Sequence, residues 1–258
     1  MADRDAVVGL LDRTLRIREI KDTSCNGLQV QGAAEVRRVG LAVDACLEAY
    51  EKAAAAGCQM VIAHHGLIWT GLTSVSGRNY QHLRFLIEHE MNLYAAHLPL
   101  DLHEEYGNNI ALARILELSD IQPFGDYHGL LIGYRGVLPQ PAAPQEIADR
   151  LAAQIGGQPI VLQNGRELVR RVGIVSGGAG DMIEQATAAG LDCYITGEPM
   201  HFCYQLSREL GGNVIFLGHY HSEQLGVQAL GRLLTEKLGL VSVFLEIGAF
   251  TAGGGNRD

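Results

Sequence analysis

Residues 36–65 and 169–198 of this 258-residue chain are two versions of one segment. VRRVGLAVDACLEAYEKAAAAGCQMVIAHH aligns without a gap on VRRVGIVSGGAGDMIEQATAAGLDCYITGE, and 11 of the 30 positions are identical. Each copy must adopt the same local plan, so the repeat restricts the fold before single residues are weighed. The pattern predicts a short strand (39–43, 172–175), a helix (44–56, 181–189) and a second strand (60–63, 193–196). Gly57 and Gly190 end the helices, where a left-handed residue is expected. A strand–helix–strand unit pairs its strands in parallel through a right-handed crossover. A second match lies downstream: NLYAAHLPLD (92–101) resembles VIFLGHYHSE (214–223), aligning His97 with His219 and Asp101 with Glu223.

These repeats predict an α/β protein of two related halves, 1–124 and 125–250, whose strand ends face a shared crevice. The junction, 125–168, holds strand-like GLLIGYRGVL and helix-like PQEIADRLAAQI. The tail 251–258 is expected to be mobile.

Composition removes several classes. Twenty basic against 29 acidic residues leave a net charge of −9, which argues against a protein that binds nucleic acid by neutralising phosphates. No apolar stretch approaches the ~18–20 residues of a membrane span. The N-terminal sequence lacks a signal-peptide pattern. Five cysteines without a CxxC read as reduced thiols in a cytoplasmic protein.

Three strand ends then carry the chemistry. His64–His65 closes the apolar run MVIA. Side chains alternate along a strand, but at its end the chain can bend, so both rings can serve one ion or each a neighbouring ion. Open α/β sheets bind ligands beyond such carboxyl ends. His97-x3-Asp101 follows the strand 93–96; Pro99 predicts a loop there, with a helix starting near Asp101, which on its own reads as an N-cap. His219-x3-Glu223 follows 214–217, with the helix expected to open at His221 or Ser222. Taken together, imidazoles and carboxylates suit divalent Zn, Fe, Mn or Co, and five or six such groups exceed one tetrahedral site and match a two-metal site.

Other segments are less specific. SGGAGD (176–181) reads as a glycine turn with Asp181 as N-cap, or as a phosphate cradle without Walker spacing. SCNGLQVQG (24–32) reads as a turn followed by a strand, at the rim of the crevice if functional. Glu198 occupies the repeat position of His65 and is a candidate for facing the crevice. Trp69 reads as packing, and Tyr106, Asn108 and Asn109 as capping or lining residues.

CNGLQVQG, VIAHHGLIW, NLYAAHLPLDLHEEYGNNIALA, ITGE and GHYHSEQLGVQAL together resemble the NIF-three-like dinuclear metal-centre proteins, also called GTP cyclohydrolase I type 2 homologues, and most of all their short bacterial branch. The resemblance covers about 20–247. It implies the NIF-three-like fold and two divalent ions per subunit. His64 and Asp101 would hold one ion, His65 and His219 the other, and Glu223 would bridge both. His97 would stand beside them as a proton-transfer or supporting group. The resemblance further implies a ring-shaped homohexamer. The chemistry that follows is hydrolysis of a nucleotide or phosphoester by metal-activated water, with His97 or His103 as proton carrier; the alternative is a non-catalytic, metal-loaded scaffold. Cys25, where relatives carry an acid, and the missing Asn-Pro near the end depart from the pattern without touching the five ligands.

Overall fold

The computed structural model describes residues 1–71 and 74–248; the tail 251–258 lies outside them. The chain divides into two compact units, the first made of Met1–Leu100 and Gly226–Gly248, the second of Asp101–Leu225. The sequence reading places its dividing line at 124 instead. The C-terminal segment belongs with the first unit because strand Val241–Phe244 pairs in parallel with Arg38–Asp44.

The first unit is built on a five-stranded sheet in the order Val241–Phe244, Arg38–Asp44, Met60–His65, Asn92–Ala95, Gly27–Val30. The first four strands are parallel and the last is antiparallel. Central parallel strands are covered on both faces, which explains their unbroken apolar runs. Val61, Ala63 and Leu93 are fully buried and pack in one core with Ala49, Tyr50 and Ala53 of helix Leu47–Ala55 and with Leu86 of helix Gly77–Glu88.

The second unit has a six-stranded sheet in the order Ser119–Tyr127, Leu130–Ala142, Val169–Ile174, Cys193–Thr196, Asn213–Phe216, Ile160–Leu162. Its three middle-to-late strands, Val169–Ile174, Cys193–Thr196 and Asn213–Phe216, are parallel to one another; the rest pair antiparallel. Ile174, Ile195 and Ile215 are buried with Leu112 and with Leu151 of helix Pro144–Ile155. That helix and strand Leu130–Ala142 are the two elements expected at the junction.

Both copies of the repeat therefore have the same plan, strand, helical segment, strand, in parallel. Gly57 and Gly190 occupy equivalent left-handed positions, with φ of 70° and 69°. The second copy departs in its helix, which is a 3-10 turn Gly180–Met182 followed by Ile183–Ala188. Asp181 lies inside that turn, whose N-cap is Ala179, and not at the N-cap position expected of it.

Two further expectations are corrected. The stretch after His97 is not loop but one helical turn, Leu98–Asp101. Pro99 is tolerated because in a first turn its missing N–H has no partner to lose. The long helix starts at His219 itself and runs to Leu238, with Gly218 at φ 89° directly before it. Among the described residues no helix is long and apolar enough to cross a membrane, and all five cysteines are free thiols.

Candidate metal centre

In the first unit, His64 and His65 end the middle strand, and His97 follows its parallel neighbour. Ring centroids are 4.8 Å apart for His64–His65, 5.2 Å for His64–His97 and 5.7 Å for His65–His97. One ring nitrogen from each lies within 4.8 Å of the others. The strand end bends enough for both neighbours of the His-His pair to join one cluster.

Each of these rings is anchored through Nδ1. His64 Nδ1 donates to the Ala96 carbonyl at 2.8 Å, His65 Nδ1 to Asp44 Oδ1 at 2.8 Å, and His97 Nδ1 to Asp22 at 3.0 Å. A carbonyl or ionised carboxylate only accepts, so the proton sits on Nδ1 and the lone pair on Nε2, the tautomer a metal ligand requires. Asp44 stands opposite His65 in the parallel register, which is why a strand-end acid reaches it. Asp22 is the more elaborate anchor. Its nearly buried carboxylate also accepts from Ser24 N, Asn26 Nδ2 and Leu98 N at 3.1, 2.9 and 3.0 Å. Burial raises the Asp22 pKa, but His97 and these other donors outweigh it and hold the carboxyl well below the usual range. Asn26 closes the loop by accepting from His97 N at 2.8 Å. Trp69 packs edge-on against His97 at 4.9 Å, with its indole N–H on the Gly66 carbonyl.

In the second unit, His219 and Glu223 share one face of the first helical turn, Nε2 to Oε2 3.2 Å. His219 Nδ1 donates to Glu198 Oε2 at 2.8 Å, so Glu198 has the anchoring role that Asp44 has for His65. The Glu223 hydrogen bond, only partly opposed by burial and reinforced by Glu198, pushes the His219 pKa up to about 9. Carboxylate oxygens of Asp101 and Glu223 lie within 4.8 Å of each other, and both residues are buried. Glu223 thus reaches towards His219 on one side and Asp101 on the other. Asp101 Oδ1 accepts from Asn108 Nδ2 at 2.9 Å and from Ser176 Oγ at 3.1 Å. Asn109, fully buried, ties this turn to Ser176 N and the Ile132 carbonyl.

The glycine-rich segment belongs to this arrangement. A Cβ on Gly177 would collide with Glu223 Oε1 and stand 3.3 Å from His219 Nε2. Glycine is needed there because the chain passes directly against the two side chains. His221 turns away and packs against Gly156–Gly157, and His103 Nδ1 accepts the N–H groups of Glu105 and Tyr106. Neither is gathered into either cluster.

A divalent cation fits these donors. Two buried carboxylates so close together repel unless a positive charge offsets them. In each unit the histidines are oriented by an acceptor at Nδ1, which leaves Nε2 as the nitrogen a cation would take in place of a proton, and the donors are nitrogen and oxygen without sulfur. Sequence reasoning missed Asp22, Asp44, the Ala96 carbonyl and Ser176. Only Asp44 carried a signal, as the acid ending the apolar strand VGLAV.

Comparison with known proteins identifies the family. The family model of DUF34/NIF3 (NGG1p interacting factor 3) matches residues 2–249. A protein of Archaeoglobus fulgidus called GTP cyclohydrolase 1 type 2 homolog is 44% identical over 241 residues, 93% of this chain and 96% of the relative. A Deinococcus radiodurans protein of the same name is 43% identical over 242 residues, covering 94% and 92%. The crystal structure of TTHA1606 from Thermus thermophilus has 42% identity and a TM-score of 0.88, covering 96% of this chain and 99% of that one. The protein ybgI, described as of unknown function, has 32% identity and a TM-score of 0.87 at the same coverage. With its fold, its histidine and carboxylate strand ends and a family match over nearly its whole length, this chain belongs to the DUF34/NIF3 family.

Proposed function

We propose that this protein binds two divalent metal ions per subunit and uses them to hydrolyse a nucleotide or phosphoester. In this reading His64 and Asp101 hold one ion, His65 and His219 the other, and Glu223 bridges both, the ligand set implied by the family resemblance. The observation that carries it is the set of four Nδ1 anchors, because pre-oriented imidazoles beside buried carboxylates are the donor set of a divalent metal site. When bound, a pair of divalent ions supplies Lewis acidity for hydrolysis near neutral pH. The chain's own part is to hold the geometry. Asp44 and Glu198 fix the tautomers of His65 and His219, and Asn108 and Ser176 fix the rotamer of Asp101. The name shared by the curated relatives supports a guanine nucleotide as the first substrate to try. A homohexameric ring belongs to the same reading, and light scattering measures it directly.

The test is turnover by the metal-loaded protein against GTP and a panel of phosphoesters, with Asp101→Ala as control. Turnover by the parent chain and its loss in the variant are expected. No turnover of any substrate by a protein carrying two ions overturns the hydrolase and leaves the metal-loaded scaffold. Metal content is the second readout. His64→Ala and Glu223→Ala lower it, and full occupancy in both removes the ligand assignment.

A further inference from the structure

We propose that Arg16, Arg18 and Lys21, on the turn after helix Arg4–Thr14, bind the phosphate chain of a nucleoside triphosphate. The choice of a nucleotide rests on the hydrolase reading above; the phosphate-binding strip itself rests on residues outside the metal centre.

The first observation is charge. Residues 13–21 read RTLRIREIK, four cations against the single acid Glu19, in a chain whose net charge is −9. Arg13, Arg16, Arg18 and Lys21 are all exposed, and among the described residues none of them forms an ion pair or a side-chain hydrogen bond. Elsewhere on this acidic surface Lys52, Arg84 and Lys237 each hold a glutamate at 2.7–2.8 Å. The two acids that flank the segment are already engaged: Asp12 accepts from Tyr94 Oη at 2.9 Å, and Asp22 is buried against His97.

The second observation is place. The turn is held by Ile17 N on the Asp12 carbonyl at 3.1 Å and by Glu19 N on the Arg16 carbonyl at 2.9 Å. Leu15 is fully buried and Ile17 and Ile20 are half-buried, so the apolar side chains fix the turn and leave Arg16 and Arg18 outside. Ile17 Cγ2 lies 3.8 Å from the point where a Cβ on Gly27 would stand, and Gly27 pairs with Ala95. The turn therefore packs at the end of the sheet where strand Asn92–Ala95 runs on to His97. At its other end Lys21 immediately precedes Asp22, which holds His97 Nδ1 at 3.0 Å. Chemistry then selects the ligand. A guanidinium offers a planar fork to phosphate oxygens and an ammonium a point charge, and three such groups along one turn match linked phosphates. The acidic surface around them repels a long polyanion, which favours a short phosphate chain over nucleic acid.

Binding is measured by calorimetry on the full-length, metal-free protein in chelator, so that no ion takes part, with circular dichroism as the check on folding. GTP, inorganic tripolyphosphate and guanosine are the probes. GTP and tripolyphosphate are expected to bind one per chain, less tightly as salt is raised, and guanosine not to bind. Arg16→Gly/Arg18→Ala, in which glycine suits the φ of 51° at position 16, weakens both about 5–25-fold, and adding Lys21→Ala weakens them further. Arg37→Ala/Arg38→Ala removes two charges from the amino end of strand Arg38–Asp44 and changes the affinity by less than about twofold. The proposal is overturned if the metal-free parent binds neither phosphate probe, or if the folded Arg16→Gly/Arg18→Ala protein binds tripolyphosphate like the parent. It is equally overturned if Arg37→Ala/Arg38→Ala loses as much, or if guanosine binds as well as GTP. Single-stranded DNA bound more tightly than GTP at physiological salt overturns it too, and makes the segment a nucleic-acid contact. The hydrolase reading fails on a different result, a metal-loaded parent that turns over nothing; tripolyphosphate binding that the metal-free parent shows and the variants lose stands without it.

Discussion

Replacing Gly177 with alanine tests whether the glycine-rich turn is shaped by the groups it touches. The residue has φ +70°, a region that costs an L-residue with a Cβ about 1–2 kcal/mol. The new methyl would also overlap Glu223 Oε1 and stand 3.2 Å from its carboxyl carbon. Glu223 has a side chain only 4% exposed and cannot swing into solvent, so the overlap adds about 1–3 kcal/mol, the usual range for overpacking. The sum is about 2–5 kcal/mol. At about 2–4 °C per kcal/mol for a chain of this size, Tm falls by roughly 4–20 °C. Calorimetry of the metal-free protein in chelator measures it. Gly178→Ala is the internal control, because a Cβ there meets nothing nearer than 3.7 Å and the residue is not left-handed. Its Tm should stay close to that of the parent. The displaced Glu223 gives a second readout, since metal content of Gly177→Ala should fall towards that of Glu223→Ala. If the two glycine variants unfold at the same temperature, the close approach is not what requires glycine at 177.

Asn109→Ala should cost about 2–4 kcal/mol in chemical denaturation, because it leaves the buried Ser176 N–H and the Ile132 carbonyl without their partner. It should also lower metal content through the loosened Asp101 turn; full stability would contradict the network. In the metal-free protein the His219 pKa is raised from its ordinary value to about 9 by Glu223, so its stabilising contribution is fully present below about pH 6.5 and is lost as pH rises through 9. Tm against pH should show this decline in the parent and not in His219→Gln. Metal affinity should move the opposite way over the same window, because the ligand form is the neutral ring.

Much of the fold was legible because the repeat and the apolar strands are local signals. Val61 to Ala63 and Cys193 to Ile195 sit in parallel sheets, where burial on both faces writes an unbroken apolar run into the sequence. Element starts were less legible where a residue with a strong local preference was outvoted by its surroundings. Pro99 suggests a loop, but a single helical turn tolerates it, since the missing N–H has no partner there. His219 gives no helix signal of its own, yet Gly218 turns the chain sharply and Ser222 Oγ bonds back to the His219 carbonyl. The placement of the C-terminal strand beside Arg38–Asp44 was invisible, since parallel pairing across some 200 residues leaves no mark in either segment.

The site divides along the same line. Ligand candidates announce themselves, because His and Asp at the ends of apolar strands are out of place chemically. Their anchors do not. Asp22 lies in a polar loop where an acid is unremarkable, and only folding brings it to a histidine 75 residues away. The Ala96 carbonyl has no side-chain signature at all. Yet these groups decide what the histidines can do. An imidazole whose Nδ1 is left to water divides between two tautomers, and ordering it is charged against binding, whereas one held by Ala96 O, Asp44, Asp22 or Glu198 has already made the choice. Such orienting partners are worth about 10–100-fold in metal affinity each. Variants of the side-chain anchors therefore test whether these strand ends hold metal, since each should lower metal content while leaving every candidate ligand in place.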